Sequence, residues 1–156
     1  MTQQPTKVME ESVRPEWVDY NGHMNDAAYV QVFSAAIDQV LLDLGLDASM
    51  RERYRFTIYT LENHICYLHE CHEGERIRVT VQLIHHDAKR LHLFLVMENE
   101  VGTRVATSEQ MLMGVSTDRG KSAPFPQVIA DKVVERAKRD ATLVRPDGVG
   151  RSISIR

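Results

Sequence analysis

The chain has 156 residues, of which 26% are charged and 43% hydrophobic, with a net charge of −3. That length can bury a core without staples, and the slightly acidic balance argues against nucleic acid or an anionic membrane surface as partner. Cys66 and Cys71 stand too close in sequence for a disulfide framework and suit a reducing, cytoplasmic setting. Met1–Lys7 carries no apolar signal core, and no apolar run is long enough to span a bilayer.

One domain over residues 1–156 is expected, with residues 1–6 as a loose end. Lys7 to Val13 reads as a first strand, and Arg14-Pro15 opens a loop. Asn25 is placed to cap a helix, since its side-chain oxygen can accept an orphan N–H. The helix is expected from about Asp26 to Leu44, with Gly45 as its C′ stop. Ala27, Ala28, Tyr29, Val30, Val32, Phe33, Ala35, Ala36, Ile37, Val40, Leu41, Leu42 and Leu44 cover most of its circumference. Gln31, Ser34 and Asp38 make one narrow polar stripe, with Gln39 and Asp43 at its edge, so burial on most sides is predicted.

Four strands follow. Phe56 to Leu68 is rich in β-formers, and Glu73-Gly74-Glu75 is a turn. Ile77, Val79, Val81 and Leu83 alternate with polar residues, the pattern of a half-buried strand. Asp87-Ala88-Lys89 turns again, and Leu91 to Met97 is apolar at nearly every position. Asn99 to Gly102 is a third turn, and Thr103 to Val115 is the last long strand. An amphipathic helix is expected from about Gln127 to Arg139. From Arg145 to residue 156 the chain reads as a second loose end, polar and with little to bury. This order predicts an α+β fold, an antiparallel sheet curled around one long helix with a second helix at the C-terminus. Since Leu91 to Met97 is apolar on both faces, its outer face needs a cover, which a second subunit would supply.

The stretch from Trp17 to Tyr29, WVDYNGHMNDAAY, packs ionisable groups and amides into a loop at the start of the buried helix. A helix N-terminus offers unpaired N–H groups and partial positive charge, so it can hold a developing oxyanion while a nearby carboxylate acts as base or nucleophile. Asp19 is the candidate, against the plainer role of a turn-forming Asp before Asn-Gly. Asn25 can polarise a carbonyl or serve only as the cap. His23 can orient water or substrate, or only hold the loop. Glu62 and His64 share one face of a strand and are either water- and substrate-positioning groups or an exposed polar pair. Cys66, His69, Cys71 and His72 are zinc-ligand types, but strand alternation splits them and no knuckle spacing is present, so no metal is expected. His85 and His86 read as exposed strand-end residues.

Asp19, Gly22 and Tyr29 keep the spacing of acid, glycine and tyrosine ahead of the central helix in hot-dog fold thioesterases of the 4-hydroxybenzoyl-CoA type, and Gly22-His23-Met24-Asn25 resembles their Gly-His-x-Asn pattern. Glu16 to Met24, Asp87 to Phe94 and Ala106 to Leu112 more narrowly resemble betainyl-CoA thioesterases of carnitine breakdown, some of which are fused to L-carnitine dehydrogenase. The resemblance implies a hot-dog fold and hydrolysis of a small acyl-CoA thioester. Coenzyme A would be part of the substrate, with no separate cofactor. It also implies a homodimer, with a tetramer open, and sites at the dimer interface, where Glu62 and His64 would serve the neighbour's Asp19. A betaine group would need an aromatic cage, for which Trp17, Tyr20, Tyr59 and Tyr67 are candidates with Glu62 as counter-charge. Lys89 and Arg90 at a tight turn are candidates for the CoA phosphates, ahead of Arg119 and Lys121. One departure stands out: many relatives carry Asp-x-Asp here, and this chain has Trp17 in the first position. The alternatives are a hot-dog enoyl-CoA hydratase and a non-catalytic CoA-ester binder. The hydratase word Asp-x-Asn-Pro-x-His is approached by Asp19-Tyr20-Asn21-Gly22-His23 without its proline and with the histidine one residue early.

Overall fold

The computed structural model describes residues 3–156. Alternating and β-rich segments form β1 (Thr6–Ser12), β2 (Phe56–Tyr67), β3 (Arg76–His86), β4 (Arg90–Asn99) and β5 (Arg104–Ser116), with a two-residue β6 (Lys121–Ser122). They make one antiparallel sheet in the order β1-β3-β4-β5-β2, with β6 paired to β5. Three helices complete the chain: α1 (Asp26–Asp43), α2 (Ala48–Tyr54) and α3 (Gln127–Asp140). The curled sheet and long helix are the hot-dog arrangement expected from the sequence. Of the N-terminal loose end, residues 1 and 2 lie outside the described residues, and Thr6 belongs to β1.

The ends of α1 follow from its flanking residues. Asn25 takes an extended conformation and its side chain accepts from the Ala28 N–H at 2.9 Å. At the far end Gly45 has φ +89°. Its N–H bonds Leu42 O while that of Leu46 bonds Leu41 O, both at 2.9 Å. This is the 5→2 and 6→1 pair of a Schellman cap, and Leu46 is fully buried behind it.

Burial of α1 is narrower than the sequence suggested. Ala28, Tyr29, Val32, Phe33, Ala36, Ile37 and Val40 form one buried stripe, at the i, i+3, i+4 spacing of a helix resting on a surface. Ala27, Val30, Ala35 and Leu42 lie exposed. The sheet covers one side of the helix rather than most of it. The stripe packs on Ile77, Val79 and Val81 of β3, Leu91, Leu93, Leu95 and Met97 of β4, and Ala106 and Leu112 of β5. No single helix among the described residues is long and apolar enough to cross a membrane.

Helix α2 departs from the expected element order. It is short and has no fully buried residue, with Met50 alone packed partly buried against the core. Asp47 caps it by accepting from Met50 N at 2.8 Å, and Arg55 ends it in the left-handed region at φ +48°. Helix α3 buries Ile129, Val133 and Asp140. The Asp140 carboxylate accepts from Leu83 N at 2.8 Å and from Arg136 Nε at 2.9 Å. It thereby satisfies an N–H beside the irregularity between Leu83 and His85 in β3.

The outer face of β4 has a cover that the sequence assigned elsewhere. Phe94 and Val96 point away from α1 and are nonetheless buried. The C-terminal segment lies over them: Gly148 approaches the Phe94 ring, Arg104 Nη1 donates to Asp147 O at 3.0 Å, and Gly150 N donates to the Glu109 carboxylate at 2.9 Å. Residues 146–150 are therefore docked on the sheet rather than loose, and within one chain they do the covering expected of a second subunit. The residues after Arg151 are exposed.

Gly114 marks the tightest backbone approach. A methyl group there would stand 2.5 Å from Ala123 O and 2.7 Å from the Phe56 ring. Gly114→Ala is expected to destabilise the fold by about 1–3 kcal/mol, the usual scale for overpacking. Urea unfolding should show a lower midpoint at unchanged slope.

Candidate active site

The loop before α1 is built by short-range bonds. Pro15–Trp17 make one 3-10 turn. Val18 and Met24 then pair as an isolated bridge, closing a small hairpin. Across its tip Gly22 N donates to Asp19 O and Asp19 N to His23 O, both at 3.0 Å, and Gly22 holds φ +79°. The Asp19 side chain folds back so that Oδ1 accepts from Asn21 N at 2.8 Å. The turn-forming role of Asp19 is thus real, and it leaves Oδ2 without a protein partner among the described residues.

Asn25 fixes the hairpin to the helix. Its backbone N–H and its Nδ2 both donate to Trp17 O, at 2.8 and 2.7 Å, while Oδ1 takes the Ala28 N–H. The side chain therefore spends its oxygen and one N–H on structure. The first helical amides, those of Asp26 and Ala27, have no intrahelical acceptor. Unlike the Asn25 side chain, they are not spent on the cap.

The loop also pairs with the connection between β2 and β3. Met24 N donates to Cys71 O at 2.8 Å, and His23 bridges His72. Between the two segments lies a cavity of about 440 Å³ lined by Asp19, His23, Met24, Asn25, Asp26, Tyr29, Tyr67, Leu68, His69 and Glu70. Tyr67 OH donates to Asp26 O at 3.1 Å, Tyr29 OH to His69 O at 3.3 Å, and the two rings meet edge to face. Burial raises the phenol pKa of Tyr29, with the Cys71 thiol beside it as a further cause, and burial likewise raises that of Cys71. Both groups are held neutral as core members. The lining carries three carboxylates, Asp19, Asp26 and Glu70, and neither lysine nor arginine.

Of the predicted site residues, Asp19, His23 and Asn25 share this cavity, joined by Tyr67 from the aromatic set. The other aromatics do not assemble into a cage within the chain. Trp17 is 7% exposed and the Arg14 guanidinium sits 5.0 Å from its ring centroid, so the cation-facing side of the indole is taken. Tyr20 is 97% exposed at the hairpin tip. Tyr59, Glu62 and His64 lie on the face of the sheet opposite α1. An irregularity between Thr60 and Glu62 keeps Tyr59 and Glu62 on the same side. There Glu62 and His64 border a separate cavity with His92, Glu109 and Met111, away from Asp19 of the same chain.

Lys89 and Arg90 are distant as well. They sit at the β3–β4 turn, at the far end of strands that run roughly 30 Å from the Asp19 loop at 3.3 Å per residue. Arg90 is held by Asp87 at 2.7 Å, and Lys89 Nζ donates to Ser122 Oγ at 3.2 Å. The four zinc-ligand types are dispersed: Cys71 is buried, His69 lines the cavity, Cys66 lies beside His64, and His72 bonds Glu75.

Sequence reasoning missed Asp26, His69 and Glu70 as lining residues. Asp26 could have been found, since a first-turn acid stands beside any group bound at the helix start. His69 and Glu70 follow the end of β2 and carry no local signal. They join the site only through the pairing of Met24 with Cys71.

Comparison with known proteins places this geometry. A family model described as the thioesterase-like superfamily matches residues 13–133. The chain is 45% identical over 148 residues to the betainyl-CoA thioesterase of Pseudomonas aeruginosa, an overlap of 94% of this chain and 92% of that one. It is 37% identical over 150 residues to the L-carnitine dehydrogenase/betainyl-CoA thioesterase of Rhizobium meliloti, where 96% of this chain matches 30% of the longer protein. A Staphylococcus aureus protein solved in complex with CoA superposes with TM-score 0.92 at 33% identity, covering 99% of this chain and 98% of that one. The 1,4-dihydroxy-2-naphthoyl-CoA thioesterase of Synechocystis shares the fold at TM-score 0.73 and 18% identity, over 81% of this chain and 94% of that one.

Two outcomes test the local reading. Asn25→Ala removes the cap and the tie to Trp17 O, and should cost about 1–2 kcal/mol in chemical denaturation. Asp87 is held at a pKa of about 2, from an ordinary 3.8, first by the Arg90 side chain and then by the Lys89 N–H. A lowered folded pKa contributes stability above the unfolded value and loses it as pH falls. The stability advantage of wild type over Asp87→Asn should therefore be constant above pH 5 and fade between about pH 4 and 2, as read by unfolding at each pH.

Proposed function

Since the chain belongs to the thioesterase-like superfamily and is an acyl-CoA thioesterase, we propose that its substrate is betainyl-CoA and its products glycine betaine and CoA. One observation of the geometry supports this choice most directly. The Asp19 cavity presents three carboxylates and no lysine or arginine, which favours an acyl group bearing a fixed positive charge. The Pseudomonas aeruginosa relative, named for betainyl-CoA, supports it independently.

In this reading the trimethylammonium group lies against the Tyr67 ring, with Asp26 and Glu70 as counter-charges; aromatic faces and carboxylates both attract such a cation. The thioester carbonyl oxygen meets the Asp26 and Ala27 amides at the positive end of α1. Asp19 is the general base. Its Oδ1 is tied to Asn21 N, and Oδ2 takes a proton from water as the water oxygen attacks the carbonyl carbon. The C–S bond then breaks, and the sulfur leaves with a proton as the CoA thiol. His23, half-buried at the rim, orients the water. The CoA phosphates stay outside the acidic lining, where like charge would repel them.

Release of free thiol from betainyl-, acetyl-, 4-hydroxybenzoyl- and medium-chain acyl-CoA tests the assignment. A marked preference for betainyl-CoA is expected. Equal rates across the panel would overturn the substrate and leave the thioesterase class standing. Asp19→Ala should lower kcat by about a hundredfold or more at unchanged melting temperature. Near-normal turnover in that variant would remove Asp19 from the mechanism.

A further inference from the structure

We propose that His23, Glu70 and His72 form a binding site for a divalent transition-metal cation of the zinc class at the rim of the Asp19 cavity. One ligand atom from each of the three lies within 4.8 Å of the other two, and His23 Nε2 already stands 3.2 Å from Glu70 Oε2. A tetrahedral ion with bonds of about 2.0–2.1 Å spaces its ligands about 3.4 Å apart. Small side-chain rotations therefore close the set. Two imidazoles with one carboxylate is a donor combination suited to Zn2+.

The cluster rests on backbone rather than on chance meeting of exposed side chains. His23 and His72 are paired across an isolated β-bridge, and the adjacent Met24 N–H donates to Cys71 O at 2.8 Å. The two imidazole rings stand 5.0 Å apart at 82°, so neither blocks the other's nitrogen. His72 also carries the supporting partner that metal-binding histidines usually have. Its Nδ1 lies 2.9 Å from Glu75 Oε1, and a carboxylate there fixes the tautomer with the Nε2 lone pair free for an ion.

His23 and Glu70 both line the Asp19 cavity, so an ion on the three ligands keeps its fourth position toward that space. With no lysine or arginine in the lining, nothing repels a cation. The ion would also staple the hairpin before α1 to the β2–β3 connection. The site needs no assumption about the acyl group or about Asp19.

The test uses the untagged full chain and Zn2+ alone, titrated by calorimetry. One Zn2+ per chain is expected, with a raised melting temperature on addition. Glu70→Gln and His72→Ala should each weaken binding about tenfold or more and abolish the melting shift. Their side chains are 66% and 57% exposed, so both variants should melt like wild type in chelator. His85→Ala, remote from the cluster, should bind as wild type. Co2+ should give the visible absorption of a tetrahedral site in wild type and lose it in His72→Ala. Unchanged Zn2+ affinity in both Glu70→Gln and His72→Ala, or no binding to wild type, would overturn the proposal.

Discussion

The site depends on one carbonyl. Trp17 O receives both the backbone and the side-chain N–H of Asn25, and these two hydrogen bonds lock the hairpin Val18–Met24 onto the N-cap of α1. The next residue back, Met24, is tied to Cys71 O, so the same few bonds also set the distance between hairpin and sheet. Each bond is worth only about 1 kcal/mol. Their weight is positional. They decide that Asp19, Asp26 at the start of α1 and Glu70 line one space, although the chain separates Asp19 from Glu70 by the whole of α1, α2 and β2.

The two faces of the sheet serve different ends. The inner face carries α1 on an apolar stripe. The outer face is apolar at Phe94 and Val96, and the chain meets this with its own residues 146–150. Backbone groups anchor that segment: Asp147 O to Arg104, and Gly150 N to Glu109. Glu109 is held in turn by His92 at 2.6 Å. Gly148 passes the Phe94 ring at φ +98°, a conformation that residues with a side chain rarely adopt, and no hydropathy pattern can signal it.

The frame was legible because its signals are local. Period-two alternation located β3, the acid-glycine-tyrosine spacing located the hairpin, and Asn25 and Gly45 bounded α1 almost to the residue. What was illegible is pairing between distant segments. His69 and Glu70 join the site through one backbone bond from Met24. Glu62 and His64 were correctly read as sharing a face, but parity alone cannot say which face. Trp17 looked like a cage residue from its place beside Asp19, yet as the last residue of the 3-10 turn it is buried and lies under the Arg14 guanidinium. Helix α2 escaped because its signals are a cap and a left-handed stop, with no apolar stripe to announce it. The apolar circumference of α1 overstated its burial within one chain, since Ala and Val tolerate exposure.

The distribution of carboxylates separates scaffold from site. Those that hold the fold are paired: Asp140 with Arg136 and Leu83 N, Glu109 with His92 and Gly150 N, Asp87 with Arg90. Asp19 and Asp26 have no cationic partner within 4 Å among the described residues, and Glu70 meets only His23. Three acids line one cavity with no lysine or arginine among the lining residues, and solvent screens much of their mutual repulsion, since Asp26 and Glu70 are exposed. Such a concentration is relieved by a cation, and the cavity has two ways to gain one. A quaternary ammonium on the acyl group can lie against Tyr67, and a metal ion can sit on His23, Glu70 and His72. The first places charge beside the reacting carbonyl, and the second places it at the rim. Both proposals thus draw on one lining, three carboxylates with no lysine or arginine among them.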